Sequence, residues 1–360
     1  MSTPQFLTMH ELVKKARQNL NHNNWDYIVG GTETETTLRR NRYALDALAF
    51  RPRVLCDVSN VDPSTTFLGQ KSRLPVFLAP VGGLEHFADD GAITAARAAQ
   101  EFGVIQMLSS VCEPGLEPVA KHAPQAMRSF QLYVHGDPAW VDDILSHALS
   151  LGYTSLCLTV DTAYYSRRER DLAQRNIRRA SVPGREHQAA FSWKDVARIR
   201  SKFKAPLMLK GIATAEDAKL CVEHGVDVVY ISNHGGRQLD HGQGTMDILP
   251  EVVEAVGGKA KIAIDGSFNR GTDVIKAIAS GADMVGIGRM QCVGLGAGGQ
   301  SGLVRLLEIL ETEILSCMGL LGVQRLSELN RSYLRAAPVV TDPRALSSFP
   351  LLTFEEQSFY

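Results

Sequence analysis

The sequence has no Cys-x-x-Cys pair. Its six cysteines (Cys56, Cys112, Cys157, Cys221, Cys292 and Cys317) are scattered over 360 residues. That argues against a zinc site and a disulfide framework alike, and it suits a reducing, cytoplasmic compartment. No apolar run approaches the roughly 20 residues that a membrane span needs. The N-terminus, MSTPQFLTMHELVKKARQNL, mixes charge with apolar residues at helical spacing and lacks the continuous apolar core of a signal peptide. Net charge is nearly absent, at −1, so neither nucleic acid nor an anionic membrane is expected as a partner. No low-complexity linker divides the chain, so residues 1–360 are expected to form one unit. Hydrophobic residues make up 44% and charged residues 21%, an ordinary globular balance. The length suits one α/β barrel of about 250 residues with additions.

One module recurs along the chain. An amphipathic helix stops at a glycine, and a short apolar run rich in β-formers follows. Four copies are plain: AQEFG-VIQMLSS ending at Ser110, ALSLG-YTSLCLTVD at Asp161, VEHG-VDVVYISN at Asn233 and IASG-ADMVGIGR at Arg289. Glycine closes a helix because it adopts the left-handed backbone that other residues resist. The runs do not alternate, which fits strands covered on both faces. Leu74–Pro80, Met127–Tyr133, Leu207–Lys210 and Lys261–Asp265 complete a set of eight. Thr214 and Thr272 are placed to N-cap the helices that follow their strands. Eight parallel strands with crossover helices predict a (β/α)8 TIM barrel over residues 74–335, and an open doubly wound sheet is the alternative. Residues 1–73 read as a helical N-terminal extension and 336–360 as a tail. Thr162–Trp193, a polar stretch after the fourth strand, reads as a loop or lid.

Active sites of such barrels lie at the C-terminal strand ends. The third strand ends in Gln131 and Tyr133, the fourth in Thr159 and Asp161, and the fifth in Lys210. The sixth ends in Ser232, Asn233 and His234 with Arg237 just beyond, the seventh in Asp265, and the eighth in Gly288 and Arg289. Singly, a lysine at a strand end is usually a surface residue and a histidine usually a structural one. Such readings do not predict that all of these groups share one rim. No grouping of His, Cys, Asp and Glu suggests a metal.

SNHGGRQLD at 232–240 resembles the signature of the FMN-dependent 2-hydroxy acid oxidase and dehydrogenase family. The resemblance covers roughly residues 5–335. It includes DYIVGG around Tyr27, FRPRVL at 50–55, LAPVG at 78–82, FQLYV at 130–134, LTVDT at 158–162, RRERD at 167–171, LKGI at 209–212 and GIGR at 286–289. It implies FMN as cofactor, a small 2-hydroxy acid as substrate and O2 as the acceptor that reoxidises the flavin. It also implies a homotetramer or larger homo-oligomer. By resemblance His234 is the base that takes the substrate proton, and Asp161 pairs with it; an adjacent carboxylate is expected to raise its pKa. Arg168 and Arg237 resemble the pair that grips the substrate carboxylate, a task suited to the planar guanidinium. Tyr27 and Tyr133 offer hydroxyls to the substrate. Lys210 resembles the lysine near flavin N1, where a fixed cation stabilises the anionic reduced ring. Pro80, Val81, Gly82, Ser109, Gln131, Thr159 and Ser232 are expected around the flavin ring. Asp265 is expected at the ribityl chain, with Gly266, Ser267, Asn269, Gly288 and Arg289 at the phosphate.

The chain departs from that pattern in several places. DGSFNR at 265–270 stands where the family has Asp-Gly-Gly-x-Arg, so Asn269 replaces an arginine that grips the phosphate. Val111 stands in place of a bulky Trp, and Gly82 in place of the Ala that many oxidases carry. Both substitutions suggest a widened pocket and a bulky, aromatic substrate. The lid at 171–192 is short, FADDGA replaces His-Pro-x-Gly-Glu, and the tail after Pro338 has no counterpart. GLGAGG at 294–299 matches a dinucleotide fingerprint, but it falls inside the expected last helix rather than between a strand and a helix. Two other activities fit the same residues: a dehydrogenase that passes electrons to a quinone or carrier protein, and a divergent flavin barrel with a tailoring role.

Overall fold

The computed structural model describes residues 5–175 and 184–352. Three helices open the chain: α1 (Met9–Asn19), α2 (His22–Val29) and α3 (Thr36–Asp46). A capping box between Thr8 and Glu11 starts α1, which satisfies two backbone donors that would otherwise lack partners. Strand β1 (Leu48–Phe50) and a hairpin of β2 (Thr65–Phe67) and β3 (Gln70–Ser72) follow. The hairpin places Phe67 among the buried side chains of the barrel interior, with Phe77, Met208, Tyr230 and Met284.

The barrel runs β4 (Val76–Leu78), α4 (Gly91–Phe102), β5 (Ile105–Ser109), α5 (Leu116–His122), β6 (Arg128–Leu132), α6 (Pro138–Ser150) and β7 (Ser155–Thr159). Two short helices, α7 (Glu169–Ala173) and α8 (Arg185–Ala190), stand in the lid before α9 (Trp193–Lys202). The second half is β8 (Leu207–Ile212), α10 (Ala215–Glu223), β9 (Val228–Ile231), α11 (Thr245–Val256), β10 (Lys261–Ile264), α12 (Gly271–Ala279), β11 (Met284–Ile287) and α13 (Arg289–Leu321). All eight strands pair in parallel and close, β11 against β4, so the open sheet is excluded. Strand β12 (Leu334–Ala336) pairs antiparallel with β1, tying the two ends of the chain together.

The four glycine stops have positive φ: 92° at Gly103, 83° at Gly152, 67° at Gly225 and 108° at Gly281. Thr214 caps α10 through the Asp217 amide. Thr272 does not cap α12; it lies inside the helix, whose N-cap is Arg270. The Asp273 carboxylate accepts from the Asn269 and Arg270 amides instead, because a carboxylate at N3 reaches back to the donors that a helix start leaves open. Several strands stop short of their apolar runs: β7 ends at Thr159, not Asp161, and β9 at Ile231, not Asn233. Beyond those points the chain turns over the barrel mouth, and its polar side chains make up the rim. GLGAGG lies within α13, broken at Gly298 and Gly299, so no strand leads into it. Lid residues 176–183 and tail residues 353–360 lie outside the described residues. Among the described residues, no helix is long and apolar enough to cross a membrane, and no group of His, Cys, Asp and Glu is placed to hold a metal.

Candidate active site

A cavity of about 390 Å³ opens at the C-terminal ends of the strands. Five cationic side chains line it (Arg168, Arg185, Lys210, Arg237 and Arg289) against two acidic ones (Glu85 and Asp265). That surplus of positive charge favours anionic ligands.

His234 follows β9 with φ 58°, and its amide donates to Ser232 Oγ at 3.1 Å. Its Nδ1 lies 3.2 and 3.3 Å from the two Asp161 oxygens, and its Nε2 lies 3.1 Å from the Tyr133 hydroxyl. With Nδ1–H donating to Asp161, Nε2 keeps its lone pair and accepts from Tyr133. Burial and the nearby Lys210 hold the His234 pKa below its usual 6.5 in spite of Asp161. The rise expected from the carboxylate alone is therefore outweighed. Burial works to raise the Asp161 pKa, yet contact with His234 and the Lys210 charge hold it below the usual carboxylate range. The resting pair is thus an ionised Asp161 with a neutral His234, a poised proton acceptor.

Arg237 lies beside it. Its Nη1 donates to the Tyr27 and Gly30 carbonyls at 2.8 and 3.0 Å, and its guanidinium stacks 4.2 Å over the Tyr27 ring. Its Nη2 is buried without a hydrogen bond, 3.6 Å from Asp171. Burial and Arg168 lower its pKa to about 9, so it stays charged at neutral pH, and an incoming carboxylate would relieve that stress. Arg168 donates to Tyr165 Oη at 3.2 Å and to Gln238 Oε1 at 3.1 Å. The Tyr27 hydroxyl reaches the Gly82 carbonyl at 3.4 Å.

Lys210 is buried, 3.1 Å from Ser232 Oγ and 3.8 Å from Asp265. Both Asp265 oxygens already accept, from Ser232 at 2.6 Å and from Tyr230 at 2.8 Å. Arg289 donates to the Ile28, Gly30 and Gly235 carbonyls at 2.7–2.9 Å. Pro80, Val81, Gly82, Gly266, Ser267, Asn269 and Gly288 line the cavity; Ser109, Gln131, Thr159, Asp161 and Ser232 are not among its lining residues and sit at or just past the ends of the strands that open onto it.

The cavity fits a flavin mononucleotide on two grounds. Both polar atoms of the Gln131 amide and Thr159 Oγ1 are buried without partners at the ends of β6 and β7. Buried polar groups seldom stay unsatisfied unless a ligand or water completes them. Ser267 Oγ is likewise buried and unpartnered, in the loop after β10 and next to Gly266 in the cavity wall.

The two substitutions expected to widen the pocket are not independent. A Cβ on Gly82 would lie 2.6 Å from Val111 Cγ2, so the valine already occupies the room an alanine would take. Tyr165 lines the cavity as well, held by Arg168, whereas Tyr164 points outward at 86% exposure. Sequence reasoning missed Gln188, whose amide accepts from the Val134 N–H and donates to the Thr159 carbonyl, pinning α8 to the barrel mouth. It also missed Arg42. That buried guanidinium pairs with Asp273 at 2.8 Å and donates to the Ser267 carbonyl at 3.2 Å. Neither residue belongs to a local motif that could have flagged it.

The sequence profile of a family described as FMN-dependent dehydrogenase matches residues 16–183 and 173–336. Glycolate oxidase of Spinacia oleracea is 36% identical over 356 residues, covering 92% of this chain and 96% of the relative. A peroxisomal (S)-2-hydroxy-acid oxidase of Oryza sativa subsp. japonica is 39% identical over 345 residues, covering 90% and 93%. Among solved structures, a mandelate oxidase superposes with a TM-score of 0.86 at 32% identity, covering 94% of this chain and all of the other. A point mutant of an active chimera of (S)-mandelate dehydrogenase gives 0.85 at 30%, covering 91% and 99%.

Proposed function

This chain belongs to the FMN-dependent dehydrogenase family, and from that premise we propose that it oxidises an L-2-hydroxy acid to the 2-oxo acid, with O2 as the final electron acceptor. The observation that carries the reading is His234, held neutral between Asp161 and Tyr133 in a cavity that Arg168 and Arg237 also line. FMN held there would supply the two-electron sink for the carbinol carbon, with O2 as the oxidant that regenerates it and hydrogen peroxide as the by-product. Gln131, Thr159, Lys210 and the backbone of residues 80–82 would hold its ring, and the loop from Asp265 to Asn269 its phosphate end.

The protein's own residues do the rest. Arg168 and Arg237 exchange some of their internal partners for the substrate carboxylate and fix the carbinol beside His234. Two parallel charge-assisted hydrogen bonds from a guanidinium set both distance and orientation. The Tyr27 and Tyr133 hydroxyls orient the substrate oxygens. His234 Nε2 takes the substrate proton, and Asp161, 3.2 Å from Nδ1, stabilises the imidazolium that results.

The substrate side chain lies toward Val111 and Tyr165. Val111 is smaller than a tryptophan, so we assign a substrate bulkier than lactate, with an aromatic acid favoured. A reducing cytoplasm suits the six free cysteines. Val54 and Leu55 are 80% and 103% exposed, and such apolar surface fits a homo-oligomer contact. The deciding experiment mixes purified protein anaerobically with glycolate, lactate, 2-hydroxyoctanoate and mandelate. Bleaching of the flavin, then recovery with peroxide release on aeration, is expected. No bleaching with any acid would overturn the reading.

A further inference from the structure

The loop expected at the phosphate departs from the family pattern at two positions, Asn269 and Ser267, and the structure links the first to the C-terminal tail. Asn269 stands where a phosphate-gripping arginine is usual. Its Nδ2 donates to the Ala345 carbonyl at 3.1 Å and to Ser348 Oγ at 2.9 Å, so both amide hydrogens go to the C-terminal segment. Arg270, the nearest spare cation, does not take over: it pairs with Glu313 at 2.6 Å and donates to the Ser348 carbonyl at 3.3 Å. Ser267 stands in place of a glycine. It holds φ 64°, a left-handed backbone that glycine adopts freely and serine does not. Its hydroxyl is buried, without a partner, in the cavity wall. An observed outlier of this kind argues for a functional demand on the side chain.

The segment that claims Asn269 is anchored from several sides. Phe349 is 1% exposed and meets the His10 ring edge-on at 5.6 Å. Asp342 pairs with Arg39 at 2.8 Å. From the other side, Arg42 of α3 fixes the Ser267 carbonyl, and Asp273 of α12 the Asn269 amide. The loop from Asp265 to Arg270 is therefore clamped between the tail and α3.

Resting on the reading that this cavity takes FMN, we propose that Ser267 is a phosphate ligand in place of the lost arginine. Asn269 and residues 345–349 form a strap that holds the loop in the conformation this contact needs. The hydroxyl donates to a phosphate oxygen. Asn269 is then a positioning residue that acts through the loop.

The test compares binding of FMN with that of riboflavin, which lacks the phosphate, to the apo-protein by quenching of flavin fluorescence. Ser267→Ala is expected to weaken FMN about ten- to a hundredfold, the worth of one hydrogen bond to a charged group, and to leave riboflavin unchanged. Ser267→Gly should weaken FMN equally, although it relieves the backbone. Asn269→Ala, and deletion of residues 342–360, should each weaken FMN severalfold and speed amide hydrogen exchange across residues 265–270. A wild-type FMN-to-riboflavin ratio in both Ser267 variants overturns the phosphate contact. Unchanged exchange and affinity in Asn269→Ala overturns the strap, whether or not the deletion folds. If the unaltered protein binds neither flavin, the proposed function itself has failed.

Discussion

At one end of the cavity, His234 lies between Asp161 and Tyr133 with both ring nitrogens engaged and its charge suppressed by burial. At the other, Asn269, Arg270 and Arg42 spend their hydrogen bonds on the C-terminal tail, Glu313 and the Ser267–Asp273 turn. The first end still holds open chemistry: a half-partnered arginine and an unfilled amide, beside a neutral imidazole. The second holds mostly spent chemistry, buried charges already neutralised by one another, with the Ser267 hydroxyl left open. In the proposed reaction the His234 end needs one residue type at each place, because a proton must come and go at a set distance. The phosphate end needs only donors, which several residue types can supply.

Mutation should separate the two ends by what each loses. His234→Ala or →Asn should cut flavin reduction by about a hundred- to ten-thousandfold, the usual cost of losing a general base, while FMN binding and thermal stability hold. Stopped-flow reduction beside a melting curve checks this, and a variant that melts early would blur the contrast. Arg42→Ala should do the reverse. It leaves the buried Asp273 carboxylate without its guanidinium partner, at a cost of about 3–5 kcal/mol in unfolding free energy, read by denaturant titration. Arg42→Met combined with Asp273→Leu should recover much of that loss. Arg237→Lys keeps the charge but loses the fork. It should raise KM by about tenfold, as expected for roughly 1.4 kcal/mol, and an ester of the best substrate should show no such difference.

Acidity gives a subtler contrast. The His234 pKa lies below 6.5 in the folded protein, so the unfolded chain binds its proton first. Stability from this residue is therefore complete above 6.5 and is lost as pH falls toward the folded pKa. The rate of flavin reduction should fall over the same range as the base fills. A pH series of kcat/KM and of melting temperature should show the two limbs together, and His234→Asn should remove the stability limb. Smallest of all is Gly82→Ala. It pushes Val111 away from the 2.6 Å approach and should turn preference severalfold toward small acids; adding Val111→Ala should restore it.

The strands and the clustering of His234 with Arg237 were legible because both leave local marks. An apolar run after a helix-stopping glycine locates a strand, and SNHGGR puts His234 and Arg237 within four positions of each other. The Arg42–Asp273 pair spans 231 residues of chain and Gln188–Val134 spans 54, so only folding brings them together. Asn269 stood out by its identity alone. What it binds lies in a tail with no pattern to read, and the hydrogen bonds to Ala345 and Ser348 follow from where that tail packs. Thr272 misled because a capping threonine and a threonine in the first turn of a helix look alike when Asp273 follows.

Nine non-glycine residues have positive φ among the described residues, and His234 and Ser267 are the two in the cavity wall. Each lies in a backbone region that glycine would occupy at lower energy. Selection for stability alone would therefore drift both positions toward glycine, and a thermostabilised lineage bred without an activity screen should lose them early. The two strained residues are thus a record of use: a descendant that keeps both is still being selected for the cavity, and one that has relaxed either has stopped needing that end of it.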